Sequence, residues 1–179
     1  MLIKPYDDYD IIAGQGTAGY EISQDLANLS ITPDIYLCCC GGGGLIAGTS
    51  TYLKYKYPNI KSFAVEPYGF EDTKISLINK KIISNKPGFS SICDAIITPQ
   101  PGQLTFPINI KTLSGGIVVE DDEVKNSIKI LAEHLKIIVE PGGAVAATAA
   151  LTKKINLKNK TVVVMISGGN IDLDRFSSL

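Results

Sequence analysis

The stretch Asp34-Ile35-Tyr36-Leu37-Cys38-Cys39-Cys40-Gly41-Gly42-Gly43-Gly44-Leu45 decides the fold of this chain. A continuous apolar run, typical of a strand buried on both faces, leads directly into four consecutive glycines. A helical pattern follows over residues 45–57, and Pro58 stops it. A strand, a glycine turn and a helix in this order are the unit from which parallel α/β sheets are built.

The same order of elements recurs on both sides of this stretch. We predict strands at 61–65, 116–119 and 161–166, and helices at 72–79, 121–135 and 141–153. A short apolar run at 10–13, a turn at Gly14-Gln15-Gly16 and a helix at 17–29 are predicted before it, and residues 85–113 are predicted to form loops and short strands. The predicted fold class is α/β: a three-layer, mostly parallel sheet with helices on both faces. Ligands bind at the carboxyl ends of such strands, where all three glycine clusters are expected.

Composition excludes several functional classes. The chain has 179 residues, enough for one domain with a core, and its net charge of -1 provides no basic field for nucleic acid or an anionic membrane. It has no apolar run long enough to cross a bilayer and no signal-peptide pattern. We therefore expect a cytoplasmic protein with no nucleic-acid or membrane partner.

The cysteines and the single histidine do not suggest a metal or catalytic site. Cys38, Cys39 and Cys40 are consecutive, and successive residues of a strand point to opposite faces, so the three cannot converge on one metal. We predict that they and Cys93 are buried as small apolar side chains. His134 is expected near the surface at the end of a helix.

The four glycines from Gly41 to Gly44 are the best candidate for a binding site. Backbone amides at a helix start can hold a phosphate, although a flexible glycine turn is the alternative. No Gly-Lys-Ser/Thr ending follows, so a nucleoside-triphosphate loop is excluded. A second cluster, Ser167-Gly168-Gly169-Asn170, follows the last predicted strand and could place a hydroxyl beside a ligand or simply form a turn.

Two further patterns leave alternatives open. Residues 14–19 match Gly-x-Gly-x-x-Gly, but Asp34 precedes the second strand, whereas a dinucleotide site needs an acid after it, so nicotinamide binding is disfavoured. Glu66, Glu71 and Asp72 follow a predicted strand and are either ligands for Mg²⁺ or Ca²⁺ or ordinary surface acids.

Taken in order, these motifs resemble the fold-type-II pyridoxal-phosphate enzymes, and among them the threonine/serine dehydratases (threonine ammonia-lyases), whose fold is tryptophan-synthase-β-like. The similarity covers almost the whole chain. The motifs that carry it are Gly14-Gln15-Gly16-Thr17, Gly41-Gly42-Gly43-Gly44-Leu45, Val65-Glu66-Pro67, Ser91-Ile92-Cys93-Asp94-Ala95, Leu104-Thr105-Phe106-Pro107, Glu140-Pro141-Gly142-Gly143-Ala144 and Ser167-Gly168-Gly169-Asn170.

The resemblance implies a role for each matching residue. The amides of Gly41, Gly42, Gly43, Gly44 and Leu45 would hold the phosphate of pyridoxal 5′-phosphate. The Ser167 hydroxyl, followed by Gly168, would face the pyridine nitrogen, with Glu140 near the ring. A hydroxyl partner leaves that nitrogen largely unprotonated, which suits elimination of water. Glu66, the carbonyl of Phe70 and Asp72 match a divalent-cation site (Mg or Ca) of the serine racemase branch, although Phe70 replaces a usually smaller residue.

Two parts of the family pattern do not occur in this sequence, the motif of the Schiff-base lysine and the substrate-carboxylate loop of Ser-x-Gly-Asn-His type. The Schiff-base lysine lies in a Ser-x-Lys-x-Arg-Gly motif, and none of the lysines has that context, so no catalytic residue is assigned. We expect residues 1–179 to be the C-terminal portion of the large pyridoxal-phosphate-binding domain, without the small domain, and to be inactive alone.

The resemblance implies that the parent enzyme acts on a small amino acid. The expected reaction is β-elimination and deamination of L-threonine or L-serine to a 2-oxo acid and ammonia, in a homo-oligomer. Serine racemase and hydroxyaspartate dehydratase are the alternatives within the family. A non-catalytic module that binds a phosphate-bearing ligand is the alternative of another class.

Overall fold

The structure is a computed structural model that describes residues 3–179. These residues form a four-stranded sheet, seven α-helices and one 3₁₀ turn, and none of their helices has the length and apolarity needed to cross a membrane. In chain order the elements are α1 (Tyr9–Asn28), β1 (Ile35–Cys39), α2 (Gly44–Lys56), β2 (Lys61–Pro67), α3 (Asp72–Asn79), the 3₁₀ turn (Asp94–Ile96), α4 (Phe106–Thr112), β3 (Leu113–Val119), α5 (Asp121–Leu135), α6 (Pro141–Leu151), β4 (Val162–Val164) and α7 (Leu173–Ser178).

The sheet is parallel throughout and has the strand order β3-β2-β1-β4. Every residue of β1 is buried, and Leu37 is paired with Phe63 of β2 and Val164 of β4. The chain moves outward from β1 to β3 and then returns to the other side of β1. Because parallel crossovers are right-handed, this reversal places α5 and α6 on the face opposite α2 and α3. The predicted three-layer α/β fold is confirmed.

The reversal of strand order lies between β1 and β4. Loops that leave neighbouring strands in opposite directions open a crevice at the carboxyl edge of a parallel sheet, and ligands of α/β proteins bind there. The Gly41–Gly44 loop follows β1, and Ser167 follows β4. The topology therefore brings these two predicted motifs to one crevice, although they are far apart in the sequence.

The prediction for the N-terminal part was wrong. Residues 10–13 are not a strand and Gly14-Gln15-Gly16 is not a turn, because one helix, α1, runs from Tyr9 to Asn28. The Asp8 carboxylate caps the start of this helix and accepts from Asp10 N at 2.9 Å. This glycine cluster therefore does not lie at a strand end, and the dinucleotide-loop interpretation fails. Instead, Gly16 and Gly19 let α1 cross α2 closely: a Cβ at Gly19 would lie 2.9 Å from the Thr49 carbonyl oxygen.

Other parts of the chain also differ from the sequence-based expectation, most clearly α4 and β4. Residues 106–112, predicted as loop or short strand, form helix α4, which has Pro107 in its first turn, where proline needs no backbone donor. The last strand is shorter than the predicted 161–166 and is only half-buried, because β4 is an edge strand of the sheet. The helix at Asp72–Asn79 agrees with the prediction at both ends.

Gly14 differs from the other α1 glycines and gives a stability prediction. It is exposed, and a Cβ added there would meet no atom within 4 Å. Since glycine costs a helix about 1 kcal/mol relative to alanine, Gly14→Ala should raise the free energy of unfolding by about 0.5–1 kcal/mol. Urea denaturation followed by circular dichroism measures this change. A destabilised variant would contradict the open environment of Gly14.

Candidate functional site

A cavity of about 450 Å³ opens at the crevice between β1 and β4. Its volume falls within the range of about 300–1,000 Å³ that is usual for small-molecule sites. Seven of the eight residues predicted to bind the cofactor line it: Gly41, Gly42, Gly43, Gly44, Leu45, Glu140 and Ser167. The eighth, Gly168, lies against the Glu140 carboxylate, which would overlap a Cβ at that position.

The glycine loop ends in a helix start that no side chain caps. Gly43 has φ +89°, a left-handed conformation that favours glycine, and α2 begins at Gly44. The first amides of a helix have no partner within the helix, and the helix dipole adds positive potential there. A group with negative oxygens, such as a phosphate, fits this arrangement of amides.

Two buried polar residues, one just before α4 and one within it, hold the carbonyl groups of this glycine loop. The Thr105 hydroxyl donates to the carbonyl oxygen of Gly42 at 2.6 Å, and the Asn109 side-chain amide donates to that of Gly43 at 3.4 Å. In a trans peptide the N–H points away from the preceding C=O, so the amides of Gly43 and Gly44 point away from α4. Nothing in the sequence indicated this role for either residue, although Thr105 belongs to one of the family motifs.

Tyr6 closes the other side of the glycine loop. Its ring lies so close to Gly42 that any Cβ at that position would overlap the ring. The segment that carries Tyr6 is anchored by Asp7, whose carboxylate accepts from Leu104 N at 2.7 Å. Tyr6 also lines the cavity, although nothing in its sequence context indicated a site residue.

The far end of the cavity is formed by the turn after β4 and the start of α6. Glu140 N donates to Gly168 O at 3.1 Å, and a Cβ at Gly143 would lie only 2.5 Å from the same oxygen. This close packing requires glycine at position 143 and keeps Glu140 beside the Ser167 turn. The Ser167 hydroxyl is 3.0 Å from the Cys39 thiol at the end of β1.

The loop that contains Asp94 covers part of the cavity and is tied to the C-terminal helix. Arg175 of α7 donates to the Asp94 carboxylate at 2.9 Å and to the Ile92 carbonyl at 3.2 Å. The ion pair lowers the pKa of Asp94. Asp94 itself lines the cavity, whereas Arg175, which sequence reasoning missed, supports it from outside.

The predicted cation ligands lie around the start of α3. The Glu66 carboxylate is fully buried and accepts from Thr73 N at 2.7 Å and Lys74 N at 2.9 Å. Asp72 is 1% exposed; its Oδ1 accepts from Asn85, and its Oδ2 has no hydrogen-bond partner among the described residues. Burial is the main cause that raises the pKa of Glu66 well above its usual value, and the neighbouring Asp72 raises it further. Burial also raises the pKa of Asp72 to about 7.

An unpartnered buried carboxylate oxygen beside a second buried carboxylate fits a bound cation. Residues 3–179 contain no group of three His, Cys, Asp or Glu side chains placed to hold a metal. A cation bound by Glu66 and Asp72 therefore needs a further oxygen ligand. In the predicted group of ligands, this oxygen is the carbonyl oxygen of Phe70.

The cysteines and His134 lie where the sequence suggested. All four thiols are free and buried, and burial raises the pKa of Cys38 and Cys40 well above the usual value and that of Cys93 to about 12. His134 is exposed in the last turn of α5, away from the cavity. We assign no chemistry to it.

Comparison with known proteins agrees with this geometry. The chain is 41% identical over 181 residues to the serine racemase of Dictyostelium discoideum, covering 99% of this chain and 54% of the relative. It is 35% identical to the catabolic L-threonine dehydratase of Escherichia coli strain K12, covering 100% of this chain and 54% of the relative. The crystal structure of the T.th. threonine deaminase superposes with a TM-score of 0.90 at 34% identity, covering 94% of this chain and 61% of that one.

The chain thus spans about half the length of the curated relatives it matches. Residues 1–168 match the family model described as "Pyridoxal-phosphate dependent enzyme". The family and its cofactor, pyridoxal phosphate, are those that the motifs predicted, and its named relatives include lyases and racemases. The glycine cradle and the Ser167 turn accordingly belong to a member of the pyridoxal-phosphate-dependent enzyme family.

Proposed function

We propose that this chain forms the C-terminal part of the large pyridoxal-phosphate-binding domain of a lyase. The enzyme would convert L-threonine or L-serine to a 2-oxo acid and ammonia. The observation that carries the proposal is the uncapped start of α2 at Gly43 and Gly44, which opens into the same cavity as Ser167. An amide cradle for a phosphate and a hydroxyl for a ring atom are the two contacts that hold this cofactor at its ends.

Each residue of the site has a separate task in the proposal. Bound pyridoxal phosphate supplies an electron sink for negative charge at the α-carbon of an amino acid. The amides of the Gly41–Gly44 loop hold the phosphate and set the depth of the cofactor. The Ser167 hydroxyl donates one neutral hydrogen bond to the pyridine nitrogen and leaves it without a proton. Glu140 borders the ring side of the cavity, and the Tyr6 ring packs against Gly42 of the glycine loop.

Serine racemase and hydroxyaspartate dehydratase remain alternatives, because the contacts named above hold the cofactor and do not select the substrate. A non-catalytic module that binds a phosphate-bearing ligand is the alternative of another class, and the glycine cradle would serve it equally well. The Ser167 hydroxyl favours the enzyme over a module whose ligand shares only a phosphate with the cofactor, since such a ligand needs no contact to a ring atom at the far end of the cavity.

Binding measurements on the 179-residue chain test the cofactor site. Pyridoxamine 5′-phosphate is a suitable probe, because it has no aldehyde that could react with surface lysines. We expect it to bind more tightly than inorganic phosphate, and we expect pyridoxamine without the phosphate to bind weakly. Equal affinity for pyridoxamine 5′-phosphate and inorganic phosphate would support the binding module and contradict the proposal that the chain belongs to an enzyme.

Product assays test the reaction. We expect the 179-residue chain alone to release no 2-oxobutanoate from threonine, because it has no lysine in the Ser-x-Lys-x-Arg-Gly context. The DNA upstream of the Met1 codon shows whether such a motif is encoded in frame. If it is, the longer protein should release 2-oxobutanoate or pyruvate, whereas D-serine as the main product from L-serine would favour the racemase.

We also propose a divalent-cation site at Glu66, the Phe70 carbonyl and Asp72. We expect millimolar Mg²⁺ or Ca²⁺ to raise the melting temperature of the chain at pH 8, because the cation would compensate two buried carboxylates. Asp72→Asn should abolish this shift, whereas Asp122→Asn, at an exposed acid of α5, should leave it unchanged. Equal shifts in both variants would indicate unspecific cation binding. Differential scanning fluorimetry measures all three proteins.

A further inference from the structure

We propose that Cys39 is a positioning residue for the cofactor ring, acting through the Ser167 hydroxyl. The inference rests on the proposed function, because it assigns a task to a neighbour of the ring contact. Cys39 is the last residue of β1 and lines the same cavity as Ser167. The Cys39 Sγ and Ser167 Oγ atoms are 3.0 Å apart, and either could be the donor.

The position of Cys39 in the strand separates it from the neighbouring cysteines. Successive side chains of a strand alternate between the two faces of the sheet. Tyr36 points toward α2, where its hydroxyl donates to Thr49 at 2.9 Å, so Cys38 lies on that face and Cys39 on the opposite one. Cys40 follows the strand, and its thiol contacts the Thr73 hydroxyl at 3.3 Å. Among these three thiols, only that of Cys39 contacts Ser167.

The hydrogen-bond inventory determines the direction of this contact when a ring is bound. A serine hydroxyl has one proton and two acceptor lone pairs. An unprotonated pyridine nitrogen is only an acceptor, so Ser167 must use its proton on the ring. The Cys39 thiol then donates to Ser167 Oγ, and this S–H···O bond holds the hydroxyl in the rotamer whose proton points at the ring.

The contact between Cys39 and Ser167 also explains how a solvent-exposed hydroxyl could keep one orientation toward the ring. Ser167 is exposed and follows an edge strand, so its side chain has few packing neighbours to restrict it. Cys39 is 5% exposed and belongs to the central, fully buried strand. The contact therefore joins a loosely packed hydroxyl to the most buried strand of the sheet.

The experiment compares two probes on variants of the 179-residue chain. Cys39→Ala removes the donor, and the affinity for pyridoxamine 5′-phosphate should fall by about two- to tenfold, the usual effect of one neutral hydrogen bond. The affinity for inorganic phosphate should not change, because phosphate binds only at the cradle. Cys39→Ser keeps a donor and should restore the affinity for pyridoxamine 5′-phosphate. Cys93→Ala, at a buried thiol outside the cavity lining, is the matched control and should change neither affinity.

A double-mutant cycle distinguishes positioning from a general packing effect. If Cys39 acts through Ser167, Cys39→Ala should have no further effect on pyridoxamine 5′-phosphate binding in a Ser167→Ala background. Full additivity of the two substitutions, or equal losses for both probes in Cys39→Ala, would overturn the inference. A wild-type chain that binds neither probe would overturn the proposed function and the inference with it. Normal wild-type binding combined with an unaffected Cys39→Ala variant would overturn the inference alone.

Discussion

Gly43→Ala is expected to lower the affinity of the chain for inorganic phosphate and for pyridoxamine 5′-phosphate by about 10- to 100-fold, which corresponds to the loss of one hydrogen bond to a charged group. Gly43 has φ +89°, where an L residue is strained by about 1–2 kcal/mol. Its new Cβ would also lie 2.6 Å from the Asn109 side-chain amide, which supports the Gly43 carbonyl. Both effects move the peptide that carries the cradle amides.

Gly88→Ala is the matched control for this substitution. Gly88 has a similar backbone conformation, with φ +99°, but it lies in an exposed turn, and a Cβ there would meet no atom within 4 Å. The control therefore introduces comparable backbone strain without touching the cradle, and it should leave both affinities unchanged. Isothermal titration calorimetry measures both variants. If Gly43→Ala binds phosphate as the wild type does, the cradle is not the phosphate site.

Gly48→Ala is expected to be the most destabilising single methyl addition in α2, with a loss of about 3 kcal/mol or more in the free energy of unfolding. Gly48 is buried where α2 crosses α1, and its Cβ would overlap the Ile12 carbonyl oxygen and lie 2.6 Å from Gly16 N. These are backbone atoms, which cannot rotate away as a side chain would. The two helices must therefore separate along their contact.

Thermal denaturation followed by circular dichroism measures the effect of Gly48→Ala. For a chain of this length, a loss of about 3 kcal/mol corresponds to a decrease of roughly 6–12 °C in melting temperature. Gly14→Ala makes the same chemical change in the adjoining helix but in open space, and it should shift the melting temperature upward. Equal shifts in the two variants would contradict the close crossing of α1 and α2.

Much of the candidate site could be predicted from the sequence, because its strand and its glycine turn depend on residue types that are adjacent in the chain. The run 34–40 is apolar at every position except its first, which indicates a buried strand, and the glycines after it permit the left-handed turn at Gly43. The helix predicted at 121–135 is α5, and Glu120 and Glu123 form a capping box at its start. The ordered motifs were specific enough to indicate the family, and seven of the eight predicted residues line one cavity.

The failures of prediction have a common physical cause. The glycines in α1 suggested a turn because a glycine in isolation disfavours a helix. In the folded protein Gly16 and Gly19 lie against α2, and the packing of two helices outweighs that local preference. Helix α4 was missed for a similar reason, since the proline and glycine content of its surroundings hid a seven-residue helix with a proline in its first turn.

The sequence by itself determined the strand–glycine–helix unit, the α/β class and the family, because these depend on residue type and order along the chain. Tertiary structure alone decided which groups meet. The reversal of strand order between β1 and β4 brings Ser167 to Cys39, and the packing of α4 brings Thr105 and Asn109 to the carbonyls of the glycine loop. Contacts of this kind join residues more than 60 positions apart, so no local pattern encodes them, and they exist only once the sheet and its helices have assembled.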